Sequence, residues 1–272
     1  MEWRRLKLSY PSPFRNLAVE EALAHAVSIG VQKQPTLRIW SNPRTVVVGR
    51  FQEVAEEVDV QQCELNEVHI ARRFTGGGTV FQDEATLNLT LVTRPEEGLS
   101  NLAFHELNLQ LIREALDSLG IRSSTSRNSA LIDGRKVCGA AAAVGLHFAL
   151  WHCSILVETD TQLLRRVLAP SKSTTKSRFV RSKWQEVTTL TEALSRPISI
   201  KEVARALERT VENRLGMRLV TGQLAPEEEG LSETLYSDKY CSGKWNRHGN
   251  HGYRRTVGGP IRQSRYVCAQ RP

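Results

Sequence analysis

Arg72-Arg73-Phe74-Thr75-Gly76-Gly77-Gly78-Thr79-Val80-Phe81 sets two guanidinium groups just ahead of three consecutive glycines. Glycine admits positive φ and lets a ligand approach the backbone closely. Successive N–H groups in such a turn form an anion-binding concavity. The planar fork of Arg73 suits phosphate or carboxylate. The stretch therefore predicts a site for a nucleotide phosphate or an acyl-phosphate, against the plainer reading of a flexible hairpin. It is not a GxxxxGK[ST] loop, and no GxGxxG opens a helix of a parallel βαβ unit, so neither common nucleotide loop applies.

Asp133-Gly134-Arg135-Lys136-Val137-Cys138-Gly139-Ala140-Ala141 is the second chemical stretch. Asp-Gly signals a tight hairpin turn. Lys136 then enters a run of small residues, where an ammonium group would lie against whatever fills the space. The alternative is an exposed strand lysine. His152 lies in the apolar run Leu150-Trp151-His152-Cys153-Ser154-Ile155, where a hydrogen-bonded core histidine is the ordinary outcome. Cys138 and Cys153 would each need a neighbouring base to act as nucleophiles and otherwise read as small buried residues.

The elements that must position these groups alternate irregularly. Asn16 is placed to cap a helix over 17–29, with the apolar stripe Val19, Ala22, Leu23, Ala26 and Ile29. Strands are expected at 36–40, 45–49, 68–73, 79–82 and 86–92, with a short helix within 53–67. In 86–92, Leu87, Leu89 and Leu91 alternate with Asn88 and Thr90, a strand with one polar face. A helix over 101–119 carries Leu102, His105, Leu109, Ile112, Leu116 and Leu119 at helical spacing and stops at Gly120. A β-rich stretch covers 130–158, and helices follow near 160–168, 200–215 and 226–236, with a shorter one starting at Leu190. No regular βαβ alternation appears, which predicts an α+β domain with a mixed sheet.

The chain has 272 residues, 40% hydrophobic and 24% charged, a globular composition. No apolar run has the length of a bilayer span and the N-terminus lacks a signal-peptide stretch, so a cytoplasmic protein without a membrane partner is expected. Five scattered cysteines without CxxC spacing read as free thiols. The formal charge is +8, and no acidic residue follows Asp238. That basic end favours acidic partners. A nucleic-acid module using Trp245, Tyr253 and Tyr266 for stacking is the reading of a different class, but no recognised module accompanies it.

Taken in order, these stretches resemble the lipoate–protein ligase A family. Leu37-Arg38-Ile39-Trp40 through Val46-Val47-Val48-Gly49-Arg50-Phe51-Gln52 is similar to its first sheet region, 71–83 to its arginine-pair and glycine-triplet signature, and Arg127-Asn128 with 134–141 to its lysine loop. His152 stands at its later strand histidine. The resemblance runs from about residue 5 to Trp245-Asn246, giving a catalytic domain at 1–246 and a basic extension at 247–272. It implies a mixed, largely antiparallel sheet flanked by helices, shared with biotin protein ligases. It implies activation of lipoate on ATP, with Mg²⁺, to lipoyl-AMP, and transfer to an acceptor lysine. The implied acceptors are lipoyl domains of 2-oxoacid dehydrogenase complexes or the glycine cleavage H protein. The implied binding residues are Arg73, Gly76, Gly77, Gly78, Thr79, Val80, Phe81, Asn128, Lys136, Gly139, Ala140 and His152. Lys136 would be catalytic, bridging acyl carbonyl and phosphate, and 140–143 would help wall an apolar slot. The resemblance assigns no metal ligand.

Three departures qualify the pattern. Gln82 stands where the family has histidine and cannot titrate. Ser129 replaces an acidic residue. The part after 246 is too short for the family's accessory domain, which implies a separate activating subunit or transfer from preformed lipoyl-AMP. The nearest rival is an ATP-independent lipoyl or octanoyl transferase with a cysteine nucleophile. Positions 120–132 contain no cysteine, whereas Cys153 after the lysine loop keeps that rival open. Biotin ligation fits the triplet and lysine loop less well.

Overall fold

Alternating side chains on three strands sort this chain into an apolar layer and a polar layer on opposite faces of one sheet. The computed structural model describes residues 2–98, 100–169 and 179–249. In chain order the elements begin β1 (Glu2–Lys7), α1 (Pro13–Ser28), β2 (Thr36–Trp40), β3 (Thr45–Val48), α2 (Val54–Glu57), α3 (Val60–Leu65) and β4 (His69–Arg72). Then come β5 (Val80–Gln82), β6 (Thr86–Thr93), α4 (Asn101–Asp117), β7 (Ser124–Ser126), β8 (Ser129–Ile132), β9 (Arg135–Val144) and β10 (Ala149–Leu156). They close with α5 (Thr161–Val167), α6 (Leu190–Leu194), α7 (Ile200–Leu215), β11 (Arg218–Thr221), α8 (Pro226–Leu235), a π-helical turn Tyr236–Tyr240, and α9 (Gly243–His248).

The main sheet has eight strands in the order β11-β1-β2-β6-β10-β9-β8-β7, and a second sheet of three runs β4-β3-β5. Pairing is parallel at β11–β1–β2 and antiparallel from β2 to β7. The expected mixed, largely antiparallel sheet flanked by helices is what forms. Leu37 and Ile39, Leu87, Leu89 and Leu91, and Trp151, Cys153 and Ile155 form one core with Leu109, Ile112 and Leu116 of α4 and Val203, Leu207 and Val211 of α7. The other face presents Trp40, Thr90 and His152 to α1. The polar side of β6 is thus buried, because its partners are other polar groups on a covering helix rather than water.

Several boundaries differ from those expected. Ser12, not Asn16, caps α1: its side chain accepts from the Arg15 N–H, and Pro13 starts the first turn. Asn16 lies inside the helix, where its Oδ1 accepts from the Tyr10 N–H at 2.8 Å and from Arg38 Nη2 at 2.9 Å. Ile29 is 62% exposed and Leu102 67% exposed, so both leave the stripes assigned to them. Strand β1 carries charges that hide its period. Its Arg4 is buried and donates from both terminal nitrogens to Glu228, at 2.5 and 2.6 Å. The expected boundary between 246 and 247 falls inside α9, and 250–272 lie outside the described residues.

Two charged residues tie the C-terminal elements down. Arg72 is fully buried and donates to the carbonyls of Gly49 (2.8 Å), Gln52 (2.6 Å), Trp245 (3.0 Å) and Arg247 (3.1 Å). The first arginine of the pair is therefore a brace between α9 and the loop after β3. Glu21 of α1 accepts from Lys239 Nζ at 2.6 Å and Tyr240 Oη at 2.7 Å. Burial pushes the Glu21 carboxyl up, but hydrogen bonds from His25, Lys239 and Tyr240 outweigh it and hold it at about 2, down from 4.5. That depressed value contributes about 3 kcal/mol of stability in full above pH 4.5, lost as pH falls from 4.5 toward 2. Glu21→Gln should flatten the acid side of the stability profile in this window. A wild-type acid limb retained by the variant in urea titrations from pH 6 to 2 would contradict this account.

Candidate active site

A bulge in β9 aims Lys136. The register against β8 slips between Ala130, opposite Cys138, and Leu131, opposite Lys136, so Val137 is the extra residue. Val137 and Cys138 both enter the apolar core. The slip reverses the strand's alternation and puts Lys136 on the same face as Gly139, where a sheet bulge commonly re-aims a side chain. A Cβ on Gly139 would come within 2.8 Å of Lys136 Nζ, so glycine there makes room for the ammonium. The edge of Lys136 is held by the 186–188 segment: its N–H donates to Glu186 at 2.7 Å and its carbonyl accepts from Thr188 at 3.0 Å. The ammonium has no hydrogen-bond or ion-pair partner among the described residues. Burial pushes its pKa down from 10.5; Cys138 acts in the opposite sense and Arg73 adds to the fall.

The glycine turn is shaped by Arg73. Its guanidinium donates to the carbonyls of Gly76 (2.6 Å), Gly78 (2.8 Å) and Val47 (3.2 Å) and to Thr75 Oγ1 (3.0 Å). Two turn carbonyls are thus committed to one cation, with two N–H groups between them. Those of Gly77 and Gly78 make no hydrogen bond among the described residues. Gly77 sits at φ +90°, where a Cβ would be strained and would meet Arg73 Nη2 at 3.0 Å. Burial lowers the Arg73 pKa to about 10 against the opposing pull of Glu20, so the group stays cationic at neutral pH.

Behind the turn runs a buried polar chain. Thr75 Oγ1 lies 2.9 Å from His152 Nε2, and His152 Nδ1 lies 3.0 Å from Glu20 Oε2. Thr90 donates to Glu20 and accepts from Trp40 Nε1 at 2.9 Å. Every group is satisfied when His152 carries its proton on Nδ1 and accepts from Thr75. Burial raises the Glu20 carboxyl, but His152, Arg38 and the Thr90 hydroxyl outweigh it and hold it below 4.5. His152 thus acts through Thr75 on the turn, besides lining the cavity.

Two cavities meet at Lys136. The larger, of ≈ 420 Å³, has apolar walls from Leu17, Trp40, Val47, Val80, Ala140 and Ala141. Its polar lining includes Arg73, Gly77, Gly78, Asn128, Lys136, Gly139 and His152. The smaller, of ≈ 80 Å³, is lined by Phe81, Leu156, Leu164, Leu168 and Val187. Thr79, Val80, Lys136 and Gly139 line both. Every residue expected to bind is brought to this region except Gly76, which lies outside both linings with its carbonyl on Arg73. Ala142 and Ala143 also line neither, because Ala142 packs on the apolar core and the strand carries both past the cavity. Cys138 and Cys153 belong to that core as well, but Cys138 also lines the smaller cavity and Cys153 the larger. Burial, with Cys138 as neighbour, pushes the Cys153 thiol well above its ordinary value, which suppresses the thiolate a nucleophile needs.

Sequence patterns missed the roof. Ser182 Oγ accepts from the Thr79 N–H at 2.9 Å and from Gln52 Nε2 at 3.0 Å, while the Ser182 N–H donates to buried Glu57 at 2.9 Å. Gln52 Oε1 also accepts from the Gly49 N–H (3.0 Å) and from Thr79 Oγ1 (2.9 Å). One of the expected phosphate donors, the Thr79 N–H, is thereby occupied. Ser129, at the position of the expected acid, is buried and donates to Gln185 at 3.3 Å. No group of three His, Cys, Asp or Glu side chains fit for a metal occurs among the described residues. Nor is a helix among them long and apolar enough to cross a membrane.

Comparison with known proteins follows the same lines. Residues 12–212 match the family model described as the lipoyl protein ligase A/B catalytic domain. The chain is 30% identical over 258 residues to lipoate-protein ligase A subunit 1 of Thermoplasma acidophilum, covering 90% of this chain and 97% of that protein. It is 28% identical over 272 residues to octanoyltransferase LipM of Brevibacillus brevis, covering 90% and 98%. A Thermoplasma acidophilum structure described as a bi-partite lipoate protein ligase and its E2 lipoyl domain superposes with a TM-score of 0.82 at 29% identity, covering 94% of this chain and 99% of that one.

Removing the carboxylate of Glu20 tests the polar chain. Glu20→Gln leaves Arg38 and Arg73 buried without their shared counter-charge, and should cost about 3–5 kcal/mol in urea unfolding. A loss below about 1 kcal/mol would show that the two cations do not depend on it.

Proposed function

Since the chain belongs to the lipoyl protein ligase A/B catalytic-domain family, we propose that it is the catalytic subunit of a lipoate–protein ligase. It joins a lipoate carboxylate to the α-phosphate of ATP and passes the lipoyl group to a lysine of a lipoyl domain. The observation that carries this reading is the placement of an unpaired ammonium, Lys136, on the wall shared by two cavities. A ligase that condenses two substrates needs a junction of this kind. The larger cavity suits an acid with an apolar tail, its carboxylate directed toward the junction. The apolar slot behind Val80 and Phe81 suits the flat base of a nucleotide.

The charges then fall where adenylation needs them. Attack of the carboxylate on the α-phosphate concentrates negative charge on the phosphoryl oxygens as pyrophosphate leaves. The fixed cation of Lys136 and the unused N–H groups of Gly77 and Gly78 meet that charge without reorganisation. In the second step the acceptor amine attacks the acyl carbon, AMP leaves, and Lys136 stabilises the departing phosphate. Mg²⁺ would accompany ATP. Among the described residues the site offers it no acidic cluster, with Ser129 at the expected acid and Glu20 committed to His152 and Thr90, so the metal would rely on phosphate oxygens and water.

Two features support a partner. The similar Thermoplasma protein is named as one subunit, and the related structure is described as bi-partite with an E2 lipoyl domain. A separate accessory subunit and a lipoyl-domain acceptor are accordingly part of the proposal. The H protein is a further acceptor of the same kind. The second reading, an octanoyltransferase, is favoured by the similarity to LipM. Cys153 lines the larger cavity, as that reading needs; against it, the residue packs on the apolar core and burial pushes its thiol well above the ordinary value.

Incubating the chain with lipoate, ATP, Mg²⁺ and a lipoyl domain, with and without an accessory subunit, should add one lipoyl mass to the acceptor and release pyrophosphate. Octanoyl transfer from an acylated carrier protein without ATP would sink the ligase reading. Lys136→Met should lower adenylation by about 100-fold or more while leaving binding of the acid within a few-fold. With the wild type, the rate should decline on the alkaline side at a pH below that of an ordinary lysine, since burial lowers the Lys136 pKa and the ammonium is the working form.

A further inference from the structure

A site that makes a mixed anhydride must keep its own nucleophiles from attacking it, and this one has an amine at the point of condensation. With the acid tail in the larger cavity and the base in the smaller slot, the acyl–phosphate bond forms at the wall the two cavities share. Lys136 stands on that wall. Its Nζ lies over Gly139, which lines both cavities too: a Cβ there would meet Nζ at 2.8 Å. The hydroxyls of the same wall are engaged. Thr79 Oγ1 donates to Gln52 at 2.9 Å, Ser154 Oγ donates to Asn88 at 2.7 Å, and Ser182 Oγ accepts from the Thr79 N–H and from Gln52. The Lys136 amine has no such partner among the described residues.

No carboxylate among them is reserved for Lys136 either. Burial disfavours its ammonium, Arg73 of the glycine turn adds to this, and Cys138 of its own strand opposes it. The carboxylates lining the cavities are Glu57 and Glu20. Glu57 accepts from the Ser182 N–H at 2.9 Å, and Glu20 is engaged by His152 and Thr90. Cys153 of β10 keeps its thiol proton, because burial pushes it well above its ordinary value. The other charged groups of the lining are positive: Arg127, Lys183, and Arg181 paired with Glu56.

Resting on the reading of the site as an adenylating one, we propose that Lys136 is itself a modification site: when no acceptor domain takes the acyl group, the lipoyl adenylate acylates Nζ and the chain inactivates itself. The neutral amine attacks the acyl carbon. A C–N bond forms as the C–O bond to the phosphate breaks, AMP leaves, and the proton shed by nitrogen goes to the departing phosphate. The product is the amide made on the acceptor, formed on the wrong lysine. The phosphate of the adenylate favours the ammonium and holds the reaction back. Yet a well-oriented neighbouring group acts at an effective concentration of about 10⁵ M or more, so even about one neutral lysine in a thousand counts as about 100 M of amine. The modification is slow beside transfer to an acceptor. It is cumulative, because an acylated Lys136 carries no charge to meet the next phosphate.

Peptide mapping by mass spectrometry tests this on the full chain incubated without an acceptor, either with lipoate, ATP and Mg²⁺ or with preformed lipoyl-AMP. One lipoyl group should appear on Lys136, at a rate at least about fivefold higher at pH 9 than at pH 7. Adenylation activity should fall in step with the modified fraction, and a lipoyl domain added at the start should suppress both. Lys183, exposed and lining both cavities, is the internal control and should carry less than about a tenth of the label on Lys136. An intact Lys136 at pH 9, in protein that releases lipoyl-AMP on denaturation, overturns the proposal. Equal labelling of Lys183 reports a freely diffusing adenylate and overturns it as well. If neither incubation leaves lipoyl-AMP or a lipoyl group on the chain, the adenylating reading fails and the proposal with it, a result distinct from bound adenylate beside an unmodified Lys136.

Discussion

A single buried carboxylate holds this site together electrically. Glu20 lies in the interior of α1 and serves His152 directly, and the buried guanidinium groups of Arg38 and Arg73 both feel its charge. Taking two cations out of water is expensive unless a counter-charge accompanies them. With Glu20 in place, Arg73 can spend its hydrogen bonds on carbonyls of the glycine turn, and Arg38 can donate to the Asn16 carbonyl and Oδ1 inside α1. The covering helix is therefore part of the site's chemistry as well as of the fold. Its position follows from a strand pattern that puts polar residues on the inner face of β2, β6 and β10.

Two local irregularities turn this charged interior into a pocket. The bulge at Val137 swings Lys136 off the core side, and Gly139 leaves the space it occupies. The glycine turn, drawn around Arg73, commits two carbonyls to the guanidinium and leaves the N–H groups of Gly77 and Gly78, residues that line the cavity, without a partner among the described residues. One irregularity supplies a point charge and the other a set of fixed dipoles. They meet where two cavities join, the arrangement that condensing two substrates requires. Ser182 reaches the same turn and takes up the Thr79 N–H. A nucleotide using that donor would displace Ser182.

Similarity to both a ligase subunit and an octanoyltransferase shows how one scaffold accommodates related acyl transfers. What separates them physically is the electrophile: an acyl phosphate needs cations and N–H donors, whereas an acyl-enzyme needs a reactive thiol. In this chain the cations and donors converge on the cavity, and Cys138 and Cys153, which border the two cavities, are packed on the apolar core, where burial pushes the Cys153 thiol up.

Much of this was legible from residue types alone. Alternation in Leu87–Leu91, the small-residue run after Lys136 and the triplet at 76–78 each declare a local geometry, because backbone freedom and side-chain period are properties of short segments. Helices α7 and α8 were readable for the same reason. Strand β1 was not, since Arg4 carries a charge that only the distant Glu228 neutralises. Asn16 reads as a cap from its neighbours, yet a guanidinium on β2 draws it into the helix interior. The two arginines before the triplet look alike in sequence; packing makes Arg72 a brace for α9 and Arg73 the former of the turn. The bulge, the counter-charge of Glu20 and the roof at Ser182 all pair residues far apart in the chain. Local chemistry thus determined which groups were available, and only the tertiary structure decided which of them face one another, because burial and pairing of charge depend on partners that no short segment contains.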